Sequence, residues 1–452
     1  MRRSHILLAG AVVIAGGAAL LGGREGPSAE VHGAPLEPCG DGGRCGQPAP
    51  QGADAHPVAP ATGPAPAAAP ALQHTAAAIA ELIDLDKLTL APGGDHYEAQ
   101  LKDGRHAVLT LDPTLQAYAE KLLTEARAPR GAIVAMAPDG RILALAGRRS
   151  EVAPSKKSAG KSGTFDWRLA TDVWAPAASV FKLVTASALV AAGVDPSDKI
   201  CYHGGIRSVL ESNLRDDRRD SRCESLTYGV AHSNNAILGK LAFQKLEPPA
   251  LMKFARELGI TEGLPGSELH GLAGAVEIPA ARDLNFAQTA AGFTGSRLSA
   301  VGGALLAATF ADDGEQPVPR LVASVDGVAV PATARRRAIA SEIARAVGRM
   351  MLATCEFGSA ARSFGRRNAL HVAGKTGTLT RTDPFYMEHS WFVGYAPAEQ
   401  PQIIVSVVLG NPENWHLRGH EAARRLIDRA IQCANGCEKP RKTKVREAKG
   451  RS

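Results

Sequence analysis

Apolar residues in this chain fall into two kinds of run. Runs of strand length occur near residues 106–147 and again near 370–409, while longer stretches with helical spacing fill the interval between them. His106 to Leu111 (HAVLTL) predicts a strand, and Pro113 to Ala126 (PTLQAYAEKLLTEA) predicts a helix with proline at its first position, where the missing N–H has no intrahelical partner to lose. Gly131 to Gly147 (GAIVAMAPDGRILALAG) is two apolar runs around the turn signal Pro138-Asp139-Gly140 and predicts a β-hairpin. Leu370 to Thr378, Ser390 to Ala396 and Gln402 to Leu409 predict three further strands. The middle, from about Trp174 to Met351, is mainly helical in pattern. Its clearest segment is the Ala-rich Ser179 to Ala192, with Gly193 as the C-terminal stop. Five strands from two ends, with a helical middle, predict an α+β fold whose antiparallel sheet is built from both ends of one domain. No period of 20 to 50 residues argues for repeats.

The ends of the chain read differently. Arg2 and Arg3 precede an apolar run from Ile6 to Leu21, the charge order of an export signal. With no small-x-small cleavage site directly after it, residues 1–23 are expected to stay as a single-pass signal anchor, with the basic residues cytoplasmic and the rest of the chain extracytoplasmic. Arg24 to His74 is rich in Pro, Ala and Gly and has no aromatic residue, so it predicts a disordered tether, residues 24–74. Residues 75–130 are expected to form a small N-terminal subdomain, 131–435 the main domain, and 436–452 a basic tail.

Charge adds little. The net charge is +7, but seven Lys or Arg against two Glu lie between Glu438 and Ser452, so the rest is nearly balanced and nucleic acid is not an expected partner. Seven cysteines in an exported chain suggest local disulfides, with Cys39–Cys45, Cys201–Cys223 and Cys433–Cys437 as candidates and Cys355 as a buried free thiol. No pair of short Cys spacings with matching His residues points to zinc, and neither a metal nor a cofactor is expected.

Three short segments carry the candidate chemistry. Ser179-Val180-Phe181-Lys182 puts a hydroxyl and an amine on one helix face, and an amine acts as base toward an alcohol once burial or a second cation lowers its pKa. Ser233-Asn234-Asn235 offers a hydroxyl that can relay a proton and an amide that can bridge a lysine and a substrate amide; the plainer reading is a helix cap. Lys375-Thr376-Gly377-Thr378 follows a strand-like run and offers a cation and two hydroxyls to an extended peptide and its carboxylate, with glycine where a ligand must approach; the plainer reading is an edge strand guarded by lysine. Each is weak alone. S-x-x-K, S-x-N and K-T-G in this order form the set found in penicillin-binding proteins and class A β-lactamases.

The chain resembles the penicillin-binding protein transpeptidases, and the likeness extends beyond these motifs. Val108 to Ala119, the hairpin at Gly131 to Ala146, Leu298 to Gly314, Glu356 to Arg362 (EFGSAAR), Ala373 to Thr378 (AGKTGT) and Trp391 to Pro397 (WFVGYAP) are all similar to segments of that family, which covers roughly three quarters of the chain. The resemblance implies Ser179 as acylated nucleophile, Lys182 as its base, Ser233 as relay to the leaving D-alanine, and Asn235 and Lys375 as electrostatic organisers. It places Thr376, Gly377 and Thr378 at the substrate carboxylate and the N–H groups of Ser179 and Thr378 in the oxyanion hole. It implies a monofunctional D,D-transpeptidase without a glycosyltransferase domain, acting on peptidoglycan stem peptides, inhibited by β-lactams, and a possible partner of other cell-wall synthesis proteins. A D,D-carboxypeptidase, a β-lactamase or a non-catalytic β-lactam sensor would share the motifs. Two departures stand out: Pro176-Ala177-Ala178 where the family usually has Pro-Gly before the nucleophile, and Gly292-Phe293-Thr294-Gly295-Ser296 in place of a glycine-rich segment containing Gln.

Overall fold

The strands at the two ends of the domain do pair into one sheet. A computed structural model describes residues 75–150, 163–205, 207–261, 263–365, 368–383 and 385–434. The expected anchor, tether, basic tail and Cys39–Cys45 pair lie outside the described residues. Six antiparallel strands run in the spatial order Ala373–Arg381, Met387–Ala396, Ile403–Asn411, Arg130–Met136, Ile142–Arg149, Thr164–Phe165. The first five are the strands expected from sequence; the last is a two-residue edge too short for a periodic signal.

Both faces of this sheet are covered, which explains why its strands read as continuous apolar runs. Along Arg130–Met136, Ala132, Val134 and Met136 enter one core, and Ile133 and Ala135 the other. The second core is closed by helices Pro113–Ala126 and Gly419–Ala434. The first of these begins where the proline predicts, with the Asp112 carboxylate accepting the Leu115 N–H at 2.8 Å as its cap. The first core is closed by Ala300–Ala311, a helix apolar all round and capped by Ser299, together with the rest of the helical middle.

The middle is less purely helical than its pattern suggests. Short strand pairs interrupt it, including the hairpin Lys199–Tyr202 with Arg222–Ser225, which the Cys201–Cys223 disulfide clamps. Val322–Val325 and Val328–Ala329 join Thr89–Leu90, Tyr97–Gln100 and His106–Leu109 in a second, five-stranded sheet. Such pairings join segments more than 200 residues apart, which local periodicity does not register. Cys355 is a buried free thiol. Cys433 is disulfide-bonded, and its expected partner Cys437 lies outside the described residues.

Candidate active site

Three segments meet at the edge strand Ala373–Arg381. The first carries Ser179. A regular helix from Ser179 to Ala192 was expected; instead a 3₁₀ turn, Ala178–Phe181, precedes the α-helix Lys182–Ala191, and Gly193 follows with φ +85° as the stop. In 3₁₀ geometry residues three apart eclipse each other, so the serine and lysine come closer than on an α-helix. Lys182 Nζ lies 2.6 Å from Ser179 Oγ.

That turn is fixed from two sides. The Trp391 indole N–H donates to the Pro176 carbonyl at 2.8 Å, tying the entry to the neighbouring strand. A Cβ on Gly377 would sit 3.3 Å from Val180 and 3.4 Å from the Ala177 carbonyl. Gly377 was read as making room for a ligand, but its missing side chain also makes room for the turn that carries Ser179. The two departures from the family pattern meet here as well. Ala178 has φ +50°, a left-handed conformation that suits glycine, and a Cβ on Gly292 would lie 2.1 Å from the Ala178 carbonyl.

The second segment is the turn between helices Leu226–Ala231 and Asn235–Lys245. Here both readings of Ser-Asn-Asn apply, to different residues. Asn234 caps the second helix by accepting the Ile237 N–H, whereas Asn235, the first helical residue, places Oδ1 2.6 Å from Lys182 Nζ. Ser233, at φ +57°, directs its hydroxyl to 3.4 Å from Lys182 Nζ and 3.0 Å from Lys375 Nζ.

The third segment is the strand itself. Lys375 Nζ also donates to the Thr376 carbonyl at 2.9 Å. Thr376 and Ser359 hydroxyls share a hydrogen bond of 2.6 Å, and the Thr378 side chain is exposed. Ser359 lies in the EFGSAAR segment, yet its tie to Thr376 had no local sequence signal.

Ser179, Lys182, Ser233, Asn235 and Lys375 thus form one hydrogen-bonded cluster, with Gly377 packed beneath it. Both lysines are fully buried. Burial, and next the nearby Lys375, hold the Lys182 amine well below the ordinary lysine pKa. Burial, partly opposed by the nearby Cys355, brings Lys375 down to about 7. No carboxylate contributes to either shift, and the lowering favours the free-amine form of Lys182, with its lone pair beside a hydroxyl. Such a pair can accept the proton of an attacking alcohol, and Ser233, touching both amines, can carry it onward. Among the described residues no group of three or more His, Cys, Asp or Glu side chains gathers as a metal site.

The sequence profile described as "Penicillin binding protein transpeptidase domain" matches residues 131–431, about two thirds of the chain. The chain belongs to that family. Among curated relatives, this penicillin-binding protein is 26% identical over 249 residues to the peptidoglycan D,D-transpeptidase PbpA of Mycobacterium tuberculosis, covering 52% of this chain and 50% of that protein. It is 29% identical over 328 residues to the probable peptidoglycan D,D-transpeptidase PbpC of Pseudomonas aeruginosa, covering 69% and 55%. The chain therefore spans about half the length of the curated relatives it matches. The crystal structure of PBPA from M. tuberculosis shares the fold at TM-score 0.57 and 23% identity over 73% of this chain and 81% of that one. The D,D-transpeptidase domain of a peptidoglycan glycosyltransferase from Eggerthella lenta does so at 0.58 and 23%, over 73% and 84%. The α+β fold of the family is thus the fold of this chain.

Proposed function

We propose that this chain is a peptidoglycan D,D-transpeptidase that forms an acyl-enzyme at Ser179 and is acylated there by β-lactams. The observation that carries the reading is the fully buried Lys182 amine, 2.6 Å from Ser179 Oγ and without a carboxylate partner. Ser179 Oγ attacks the carbonyl between the two D-alanines of a stem peptide while its proton passes to Lys182. The C–N bond then breaks as the proton moves through Ser233 to the departing D-alanine nitrogen. An amine of a second peptide attacks the ester, its proton returns by the same relay, and Ser179 Oγ leaves with it. Asn235 and Lys375 orient this relay, and Thr376 and Thr378 belong to carboxylate recognition. The N–H groups of Ser179 and Thr378 take the oxyanion role.

A β-lactamase needs a base for water. The lack of any carboxylate influence on Lys182 or Lys375 favours a long-lived ester instead. Intact mass after incubation with a penicillin tests this: one adduct, lost on Ser179→Ala and persisting for many minutes, is expected. Labelling that survives Ser179→Ala refutes the nucleophile, and rapid loss of the adduct moves the reading to a lactamase.

Residues 1–23 are proposed as the membrane anchor and 24–74 as the tether, which places the site outside the cytoplasmic membrane within reach of the wall and of other synthesis proteins. Among the described residues no helix is long and apolar enough to cross a membrane. The proposed catalytic unit is 131–435, with 75–130 leading into it.

A further inference from the structure

We propose that Arg381 selects the donor stem peptide at the residue before D-alanyl-D-alanine, favouring a long side chain that ends in a carboxylate over one that ends in an amide or an amine. This rests on the transpeptidase reading above.

The strand Ala373–Arg381 pairs along one edge with Met387–Ala396 over its whole length, from Ala373 opposite Tyr395 to Arg381 opposite Met387. Its other edge carries no strand among the described residues. The Thr376 carbonyl turns to that open edge, where it accepts a hydrogen bond from Lys375 Nζ in the cluster. In an antiparallel strand every second residue turns its N–H and C=O to the same edge, so the backbone of Thr378 and Thr380 faces the cleft as well.

The side chains between them alternate toward the nucleophile. Lys375 reaches Ser233, and a Cβ on Gly377 would point at Val180 in the Ser179 turn, so Leu379 and Arg381 belong to the same face of the strand. Arg381 is held on that face. Its Nη2 donates at 3.1 Å to the carbonyl of Phe293, in the loop whose Gly292 backs the Ala178 carbonyl. The residue is exposed and makes no ion pair among the described residues.

The direction of the donor follows from the oxyanion role of the Thr378 N–H. The terminal carboxylate lies toward Thr376 and Lys375, so the rest of the stem peptide runs toward Thr380 and Arg381, antiparallel to the strand. With the penultimate D-alanine opposite Thr378, the residue before it falls opposite Leu379. Opposed residues share a face, and their diagonal neighbours two positions away lie at about 7 Å, within reach of long side chains. One such neighbour is Gly377, which has no side chain; the other is Arg381. A guanidinium bonded to one carbonyl keeps N–H donors for a carboxylate, whereas an amide brings no charge and an ammonium is repelled.

The test uses the full chain and penicillins, whose acyl side chain stands where that residue would. Two compounds with the same extended aliphatic side chain, one ending in a carboxylate and the other in a carboxamide, are compared by their second-order acylation rates. Their ratio cancels any general effect of a substitution on Ser179. The parent should favour the carboxylate about tenfold, and less so as salt rises. Arg381→Gln, which retains a donor for the Phe293 carbonyl but no charge, should bring the ratio to about one, and Arg381→Lys should keep part of the preference. A parent that reacts with both compounds at the same rate, or an Arg381→Gln protein that still prefers the carboxylate, overturns the proposal and leaves the transpeptidase reading standing. A parent that benzylpenicillin does not acylate defeats both.

Discussion

Lys182 and Lys375 are both lysines, both fully buried and both close to Ser233, yet their surroundings set them different tasks. Lys182 stands against Ser179, the proposed nucleophile, so Lys182→Ala should abolish penicillin acylation, by at least about 10³-fold, and leave the fold intact. Lys375 touches Ser233 and not Ser179, so Lys375→Ala should slow acylation less, with the larger part of the loss in ligand affinity. Stopped-flow acylation of the two variants checks this, and identical behaviour would refute the division. The pH profile follows from the same groups. As pH falls Lys182 takes up a proton and the base is lost; as pH rises through about 7 Lys375 loses the charge that faces a carboxylate. The acylation rate should therefore fall on both sides of an optimum, and Lys375→Gln should lack the alkaline limb. Stability moves the opposite way. Lys375 titrates near 7 when folded and near 10.5 when unfolded, so between those values the unfolded chain binds more protons and the fold gains stability as pH rises, whereas below 7 the full cost of burying the charge remains.

At the scale of elements, the turn that carries Ser179 is held by glycines on segments far away in sequence. Gly292 has φ +85° and backs directly on the Ala178 carbonyl, so Gly292→Ala combines backbone strain with a clash. The expected outcome is a destabilisation of about 2 kcal/mol or more together with an acylation rate lowered at least tenfold. Thermal unfolding beside penicillin labelling measures both, and normal labelling would show that the turn adapts. The sequence disclosed a good deal at this scale. Pro113 after Asp112, and Gly193 after an alanine-rich run, mark helix ends through local hydrogen bonding that any short window contains. The strands were legible because both of their faces are buried. What escaped is what depends on distant partners: the 3₁₀ form of the Ser179 turn, the left-handed Ala178, the tie from Ser359 to Thr376 and the mixed second sheet. The five polar residues of the cluster could be named from sequence because their motif order carried the information. The hydrogen bond from Trp391 to the Pro176 carbonyl has no such code.

At the scale of the whole molecule, the described residues contain both cores and the complete cluster. A chain beginning at Thr75 is expected to be soluble and to take up penicillin at the parent rate. If such a chain aggregates or fails to label, the preceding segment takes part in folding. The electrostatics of the two buried lysines reach beyond catalysis. A carboxylate entering the cluster supplies the counter-charge that the protein withholds, and this raises the affinity of Lys375 for its proton. Ligand binding near pH 7 to 8 should then draw a proton from the medium. Isothermal calorimetry of a carboxylate ligand with Ser179→Ala, repeated in buffers of different ionisation heat, should show a binding enthalpy that varies with the buffer, and one that vanishes as a function of buffer for a neutral amide analogue. Occupancy of this site would thus be coupled to the acidity of its surroundings.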